Sequence, residues 1–282
     1  MADSVQTAEL RRTWESAAPG WARWEETFSE GLVEVTDALL DMAGIEPGMR
    51  VIDLACGAGS QSLRAAYRVG PSGCVVAADI SGAMLEYLRE NARRAGLNNI
   101  RTLECAAEDL DGADAPYDAG ISRLGLMLFL SPSRALIAVQ HVLRPGARFA
   151  ALVFTTPADN PFMALPMQIL LRRARKEPPA PGQPGIFALG RKAALEDLMA
   201  DSGLVNVQTR IVRAPLRLSS ATEALQMIQQ AFGAYRAVVA DLSEESKAEA
   251  WAEVTDCLKE FETSSGFATE LQFAICAGAK TG

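Results

Sequence analysis

The 282-residue chain has one histidine, His141, and five cysteines with no C-x-x-C pair among them. A histidine-based triad or a multi-histidine metal centre needs more than that, so no metal is expected. The lone histidine is itself badly placed for chemistry. On a helix read over 133–143, Ala135, Leu136, Val139, Val142 and Leu143 share one face, and at ~100° per residue His141 falls opposite them, toward solvent. Cysteines odd in number and outside zinc-site spacing fit reduced thiols in a cytoplasm better than disulfides. Basic residues are also scarce, 27 against 35 acidic, for a net charge of −8 and a pI near 4.9. That balance argues against nucleic acid or an anionic membrane surface as the main partner. Long apolar runs are missing too: GLMLFL (125–130) and FAALVF (149–154) fall far short of the ~18–20 residues of a membrane span. The opening MADSVQTAEL lacks the basic-then-apolar plan of a secretory leader. The expectation is a cytoplasmic protein whose partner is a small molecule, with homodimerisation left open.

What is present is alternation. MRVIDLA (49–55), CVVAADI (74–80), IRTLEC (100–105), YDAGISR (117–123), RFAALVF (148–154), VNVQTRIV (205–212) and ELQFAICAGA (270–279) read as strands. Helical stretches stand between them at 60–69, 82–94 (capped by Ser81), 133–143 (ended by Pro145-Gly146) and 191–202. This pattern predicts an α/β fold: a Rossmann-like, doubly wound, mostly parallel seven-stranded sheet with helical cap insertions. Residues 1–44 read as a helical lid, 45–156 as the cofactor-binding core and 157–187 as an insertion. Residues 188–215 continue the core, 216–265 form a helical hairpin cap and 266–282 the last core strand. In the cap, Ser220 and Glu223 make a capping box, and Leu225, Ile228, Phe232, Tyr235 and Val239 recur at helical spacing.

The sharpest signal is VIDLACGAGS at 51–60. In a doubly wound sheet ligands lie beyond the carboxyl ends of the strands, and Asp53, the 55–60 loop, Asp79, Ser122 and Arg123 all fall at such ends. Gly57 and Gly59 allow close backbone approach. Asp79, about twenty residues on, can accept from both hydroxyls of a ribose. No GK[ST] follows, so this is not a P-loop. Gly57-Ala58-Gly59 precedes Ser60-Gln61-Ser62, so the third glycine of a dinucleotide fingerprint is missing. The additional acid, Asp53, would repel a pyrophosphate and favour a ligand carrying an ammonium and a sulfonium. That points to S-adenosylmethionine, with S-adenosylhomocysteine as product.

VIDLACGAGS, VVAADIS with Met84 after it, AAEDL, YDAGISRLGLMLF and VLRPGARF, in that order, resemble the class I S-adenosylmethionine-dependent methyltransferases, and within them the ubiquinone/menaquinone-type (methyltransferase type 11) branch. The resemblance covers about 45–155, and more loosely WESAAPGWARW and NPFMALP. It implies that Ala55, Cys56 and Gly57 hold the methionine end, Asp79 the ribose, and Ile80 and Met84 the adenine faces. Ala107 and Glu108 would lie near the adenine edge and Ser122 on the methyl side. Two positions depart from the family pattern: Ala55, where many relatives have glycine, and Ala106, where an aspartate commonly accepts from the adenine amino group. That contact would have to come from backbone, Glu108, Asp109 or water.

Trp21 and Trp24, ahead of the first strand, are candidates for a lid whose aromatic face attracts the sulfonium. Phe28, Arg123, Met127, Phe154, Phe187, Phe232 and Tyr235 are candidates for a substrate pocket. No catalytic residue can be singled out, because methyl transfer depends mainly on alignment and exclusion of water. The leading reading is methyl transfer to an apolar acceptor at O or C, of natural-product or quinone/isoprenoid type. Two others stay open: a methyltransferase fold in a non-methylating or accessory role, and an NAD-dependent oxidoreductase.

Overall fold

Helices and strands alternate through the core as the periodicity predicts. The computed structural model describes residues 2–112, 115–180 and 182–282, with side chains from Val5 onward. The core strands are β1 (Arg50–Leu54), β2 (Cys74–Asp79), β3 (Ile100–Glu104), β4 (Tyr117–Arg123), β5 (Leu143–Phe154), β6 (Val205–Leu218) and β8 (Gly266–Ala279). A two-residue strand β7 (Glu262–Thr263) pairs only with β8. The order is β3-β2-β1-β4-β5-β8-β6. Strands β1 to β5 run parallel, while β8 is antiparallel to both β5 and β6. Because β1 and β2 are covered on both faces, all but their first residues are buried, and they read as unbroken apolar runs rather than alternating ones. Chain order reverses between β1 and β4, which opens a crevice at their carboxyl ends.

Core helices α3 (Val33–Met42), α4 (Ser60–Val69), α5 (Gly82–Arg94), α6 (Pro132–Val142) and α8 (Lys192–Asp201) pack on the sheet. Ser81 caps α5, its Oγ accepting from Met84 N at 3.2 Å. Helices α1 (Ala2–Arg23), α2 (Glu25–Gly31), α7 (Pro161–Ala174), α9 (Ala221–Ala231), α10 (Gly233–Val238) and α11 (Glu244–Leu258) build the roof. Within it α1 packs on α9, and α7 on α11. Gly20 permits the first contact: a Cβ there would fall 1.9 Å from the Gln230 carbonyl oxygen.

Three elements differ from the sequence reading. Pro145-Gly146 lies inside β5 rather than closing α6, because Gly146 takes φ +78° and its N–H bonds the Lys280 carbonyl at 3.0 Å. Strand β6 runs on through Pro215, which is tolerated because β6 is the sheet edge. The cap is three helices instead of a hairpin, broken at Phe232-Gly233. Its capping box is displaced by one residue: Ser220 Oγ accepts from Glu223 N at 3.2 Å, but Glu223 reaches Ser219 N.

Asn160 ties α7 to the sheet. Wholly buried, it donates to Thr155 Oγ1 (3.0 Å) and the Gln272 carbonyl (3.1 Å), and accepts from Gln272 N at 2.9 Å. Asn160→Ala leaves the Gln272 N–H without that acceptor and should cost about 2–4 kcal/mol in urea unfolding with an unchanged m value. A loss below about 0.5 kcal/mol would show that α7 is held by its apolar face alone.

Candidate active site

Beyond Leu54 the chain winds tightly. Ala55, Gly57 and Gly59 take φ of +55°, +56° and +99°. Glycine adopts these values freely, whereas alanine at +55° is strained. Leu124, at the end of β4, is a second non-glycine residue in this region, at φ +62°. The two strained turns lie against each other: a Cβ added to Gly125, next to Leu124, would stand 2.5 Å from the Ala55 Cβ. Backbone strain of this kind concentrates where a site must be held in shape. A Cβ on Gly59 would strike Leu88 of α5 at 2.5 Å, while one on Gly57 would meet nothing within 4 Å. Gly57 therefore borders open space.

Asp79 locks this turn. Its Oδ2 accepts from Gly57 N and its Oδ1 from Ser81 N, both at 2.9 Å. Burial pushes its pKa up, and the N–H groups of Ser81, Gly57 and Ile80 oppose that shift. The carboxylate is 7% exposed and opens on the cavity with further lone pairs to offer.

The cavity measures about 1240 Å³. That exceeds the ~300–1,000 Å³ of an ordinary small-molecule site and leaves room for two ligands side by side. Its floor is the 54–61 loop, Asp79, Ile80 and the Arg123–Gly125 turn, and its roof comes from α1, α2, α7, α10 and the proline-rich segments 176–180 and 182–188. Of the residues singled out from sequence for the cofactor, Ala55, Cys56, Gly57, Gly59, Asp79, Ile80, Met84, Ala106, Ala107 and Glu108 line it. So does the whole pocket set of Trp21, Phe28, Arg123, Met127, Phe154, Phe187, Phe232 and Tyr235. Trp21, Phe28 and Phe232 form one aromatic cluster, with ring centroids 4.6–6.0 Å apart.

Trp24, Asp53 and Ser122 are placed elsewhere. Trp24 turns into the core, its indole N–H donating to Gln230 Oε1 at 3.0 Å, so of these two tryptophans only Trp21 lines the cavity. Ser122 is wholly buried beneath Gly125. Asp53 is wholly buried behind the loop, accepting from the Ser62 hydroxyl and from Gln61 Nε2. Desolvation raises its pKa to about 7, against hydrogen bonds from Ser62 and Gln61 and the attraction of Arg123. It therefore carries neither a full charge at neutrality nor a face on the cavity. The Ser60-Gln61-Ser62 run that replaces the dinucleotide glycine exists partly to satisfy this acid.

The adenine-edge alternatives narrow. Ala106 is an apolar patch of wall, and Asp109 points outward toward Arg134 (3.8 Å). Glu108 lines the cavity but commits Oε1 to the Ser131 N–H at 3.0 Å. Cys56 is buried with its thiol pKa well up, through burial and the charges of Asp79 and Asp53, so it is no nucleophile. Cys105 lies past the end of β3 and lines the cavity instead of filling strand core; burial pushes it up to about 11. Tyr235 spends its hydroxyl on the Met163 carbonyl at 2.8 Å. His141 is exposed, and no metal-binding cluster occurs among the described residues.

Sequence reasoning passed over Glu25, Thr36 and Ser60. Arg123 donates from Nη1 to Thr36 Oγ1 at 3.0 Å and from Nη2 to Ser60 Oγ. Glu25, on the lid, faces the same serine. No spacing links α2, α3, α4 and β4 in sequence, so only the fold reveals this group.

Residues 45–174 match the family model described as a methyltransferase domain. Among curated relatives, the ubiquinone/menaquinone biosynthesis C-methyltransferase UbiE of Haemophilus ducreyi is 36% identical over 127 residues, covering 45% of this chain and 49% of the relative. That of Pasteurella multocida is 36% identical over 163 residues, covering 57% and 61%. The chain thus spans about half to three fifths of the length of the relatives it matches. In fold, the YcgJ protein of Bacillus subtilis superposes with a TM-score of 0.58 at 17% identity, over 88% of this chain and 99% of the other. The matched stretch holds the 55–59 loop, Asp79 and residues 106–108, while most of the roof lies outside it.

Two outcomes test this geometry. Ala55→Gly should gain about 0.5–1 kcal/mol in unfolding free energy by relieving the left-handed alanine; a net loss would show that packing against Gly125 outweighs the strain. For Asp53, the folded pKa of about 7 lies above the ordinary carboxylate value of 3.8, so its contribution to stability is full below pH ~4 and lost as pH rises through 7. Asp53→Asn should remove that part of the pH dependence in a denaturation series from pH 4 to 8. Parallel curves would mean the carboxyl is ionised throughout.

Proposed function

We propose that the chain transfers the methyl group of S-adenosylmethionine to an apolar small molecule, at oxygen or carbon. The observation that carries this reading is the joining of two chemistries in one cavity. A carboxylate and a bare glycine turn suited to a nucleoside open directly into an aromatic and aliphatic chamber with room for a second ligand. Asp79 accepts the ribose hydroxyls, Ile80 and Met84 enclose the adenine, and the 55–59 turn takes the methionine end. The reactive methyl, when the cofactor is bound, is already activated by its positive sulfur. The chain's own residues need only align the acceptor and keep water out.

Trp21, Phe28 and Phe232 supply a rigid apolar face for an aromatic or unsaturated acceptor, and Phe154, Phe187 and Met127 the opposite wall. Residues 1–44, 157–187 and 216–265 then act as cap elements around a core at 45–156, 188–215 and 266–282. No helix among the described residues is long and apolar enough to cross a membrane. The five cysteines are all free, which supports a reducing, cytoplasmic setting.

Methyl-labelled cofactor incubated with the chain and a panel of quinols, phenols and isoprenoid acceptors should yield labelled apolar product. Label retained on the cofactor with every acceptor would favour a non-methylating role. Asp79→Ala should weaken S-adenosylhomocysteine binding about 10- to 150-fold, the equivalent of ~1.5–3 kcal/mol for hydrogen bonds to a charged group. Unchanged affinity in calorimetry would place the ribose elsewhere.

A further inference from the structure

Two opposite charges on the cavity wall have no role in the reading above. Glu25 opens α2 in the lid, and Arg123 closes β4 in the sheet. Both line the cavity, and both stand beside Ser60, the first residue of α4. Thr36 and Ser60 each take a hydrogen bond from one terminal nitrogen of Arg123, which fixes the plane of the guanidinium. The Ser60 hydroxyl and backbone N–H face the Glu25 carboxylate, so the serine links the two charges.

Buried opposite charges are costly unless each is closely matched. Burial raises the pKa of Glu25 against the pull of Arg123 and Ser60, and it lowers that of Arg123 against Glu25 and Asp53. The two charged groups share Ser60 in a wall otherwise dominated by apolar side chains. A ligand part bearing both charges, a carboxylate and an ammonium, would complete the match.

We propose that Arg123, with Ser60 at the head of α4, receives the α-carboxylate of the bound cofactor, and that Glu25 receives its α-ammonium. This rests on the S-adenosylmethionine reading. The first turn of α4 lies at the positive end of the helix dipole, which favours an anion. The group sits directly after the 55–59 turn, where a methionine tail must end if the ribose is at Asp79. Asp53, the sequence candidate for the ammonium, is walled off by Ser62 and Gln61. Because Glu25 belongs to the lid and Arg123 to the sheet, a zwitterion between them joins roof to floor, and the amino-acid tail becomes the part of the cofactor that draws the lid shut.

The test uses the full chain and binding alone. Calorimetry compares S-adenosylhomocysteine, its decarboxylated analogue, which keeps the ammonium, and 5′-methylthioadenosine, which lacks the amino acid altogether. Glu25→Gln should weaken the first two at least tenfold and leave methylthioadenosine within twofold. Arg123→Met should weaken only S-adenosylhomocysteine, and Arg123→Lys should restore part of that loss. Thermal unfolding of each variant checks the fold; should Arg123→Met not fold, Glu25→Gln and Arg123→Lys carry the test. Equal losses for all three ligands, or none, would overturn the assignment. Failure of the unaltered chain to bind any of them would overturn the cofactor reading itself.

Discussion

The hydrogen bond from the Gly57 N–H to the Asp79 carboxylate is the contact on which the rest of the site depends. It joins the ends of two adjacent parallel strands and holds a turn whose backbone is left-handed at three of five residues. Without it, nothing would fix the direction in which the loop presents its bare face. The same carboxylate also accepts from the Ser81 N–H, so one side chain sets the mouth of the crevice and the start of α5 together. Because it is buried, each of those bonds acts at low dielectric, where charge-assisted contacts are strong and an unpaired group would be costly.

Around this fixed point the molecule divides polar from apolar work. Donors and charges gather at the strand ends: Asp79, Ser60, Arg123 and, from the lid, Glu25. The opposite side of the cavity is built almost wholly from aromatic and aliphatic side chains of the roof. Such a wall aligns a ligand by shape and excludes water while offering little acid–base chemistry. An exposed His141 and a suppressed Cys56 fit that division, since a methyl donor activated by its own charge asks for alignment before proton transfer.

Residue by residue, the legible part of the site was backbone and the illegible part side-chain direction. The Gly57 and Gly59 turn, the apolar runs of β1 and β2 and the Ser81 cap leave local marks, and the core elements fall within a residue or two of them. Pro215 and Pro145-Gly146 misled because a proline or glycine stops an element only when its missing donor or its φ cannot be accommodated. An edge strand accommodates the first, and an irregular β5 the second. Asp53, Trp24 and Ser122 sit at the right height in the fold but face away from the cavity, since each found a closer partner or a packing position. Glu25 went unseen for the opposite reason: nothing near it in sequence distinguishes it from any solvated helix glutamate.

The chain alone determined the parallel sheet, the crossing point of its strand order and the glycine turn with Asp79 opposite. All of these follow from short-range patterns of apolarity and backbone freedom. Tertiary structure decided which carboxylates face the cavity, and it brought α2, α3, α4 and β4 together around Arg123 and Ser60. The physical reason is that charge pairing and burial depend on distances between remote segments, such as Thr36 and Arg123, 87 residues apart, and no periodicity encodes those distances.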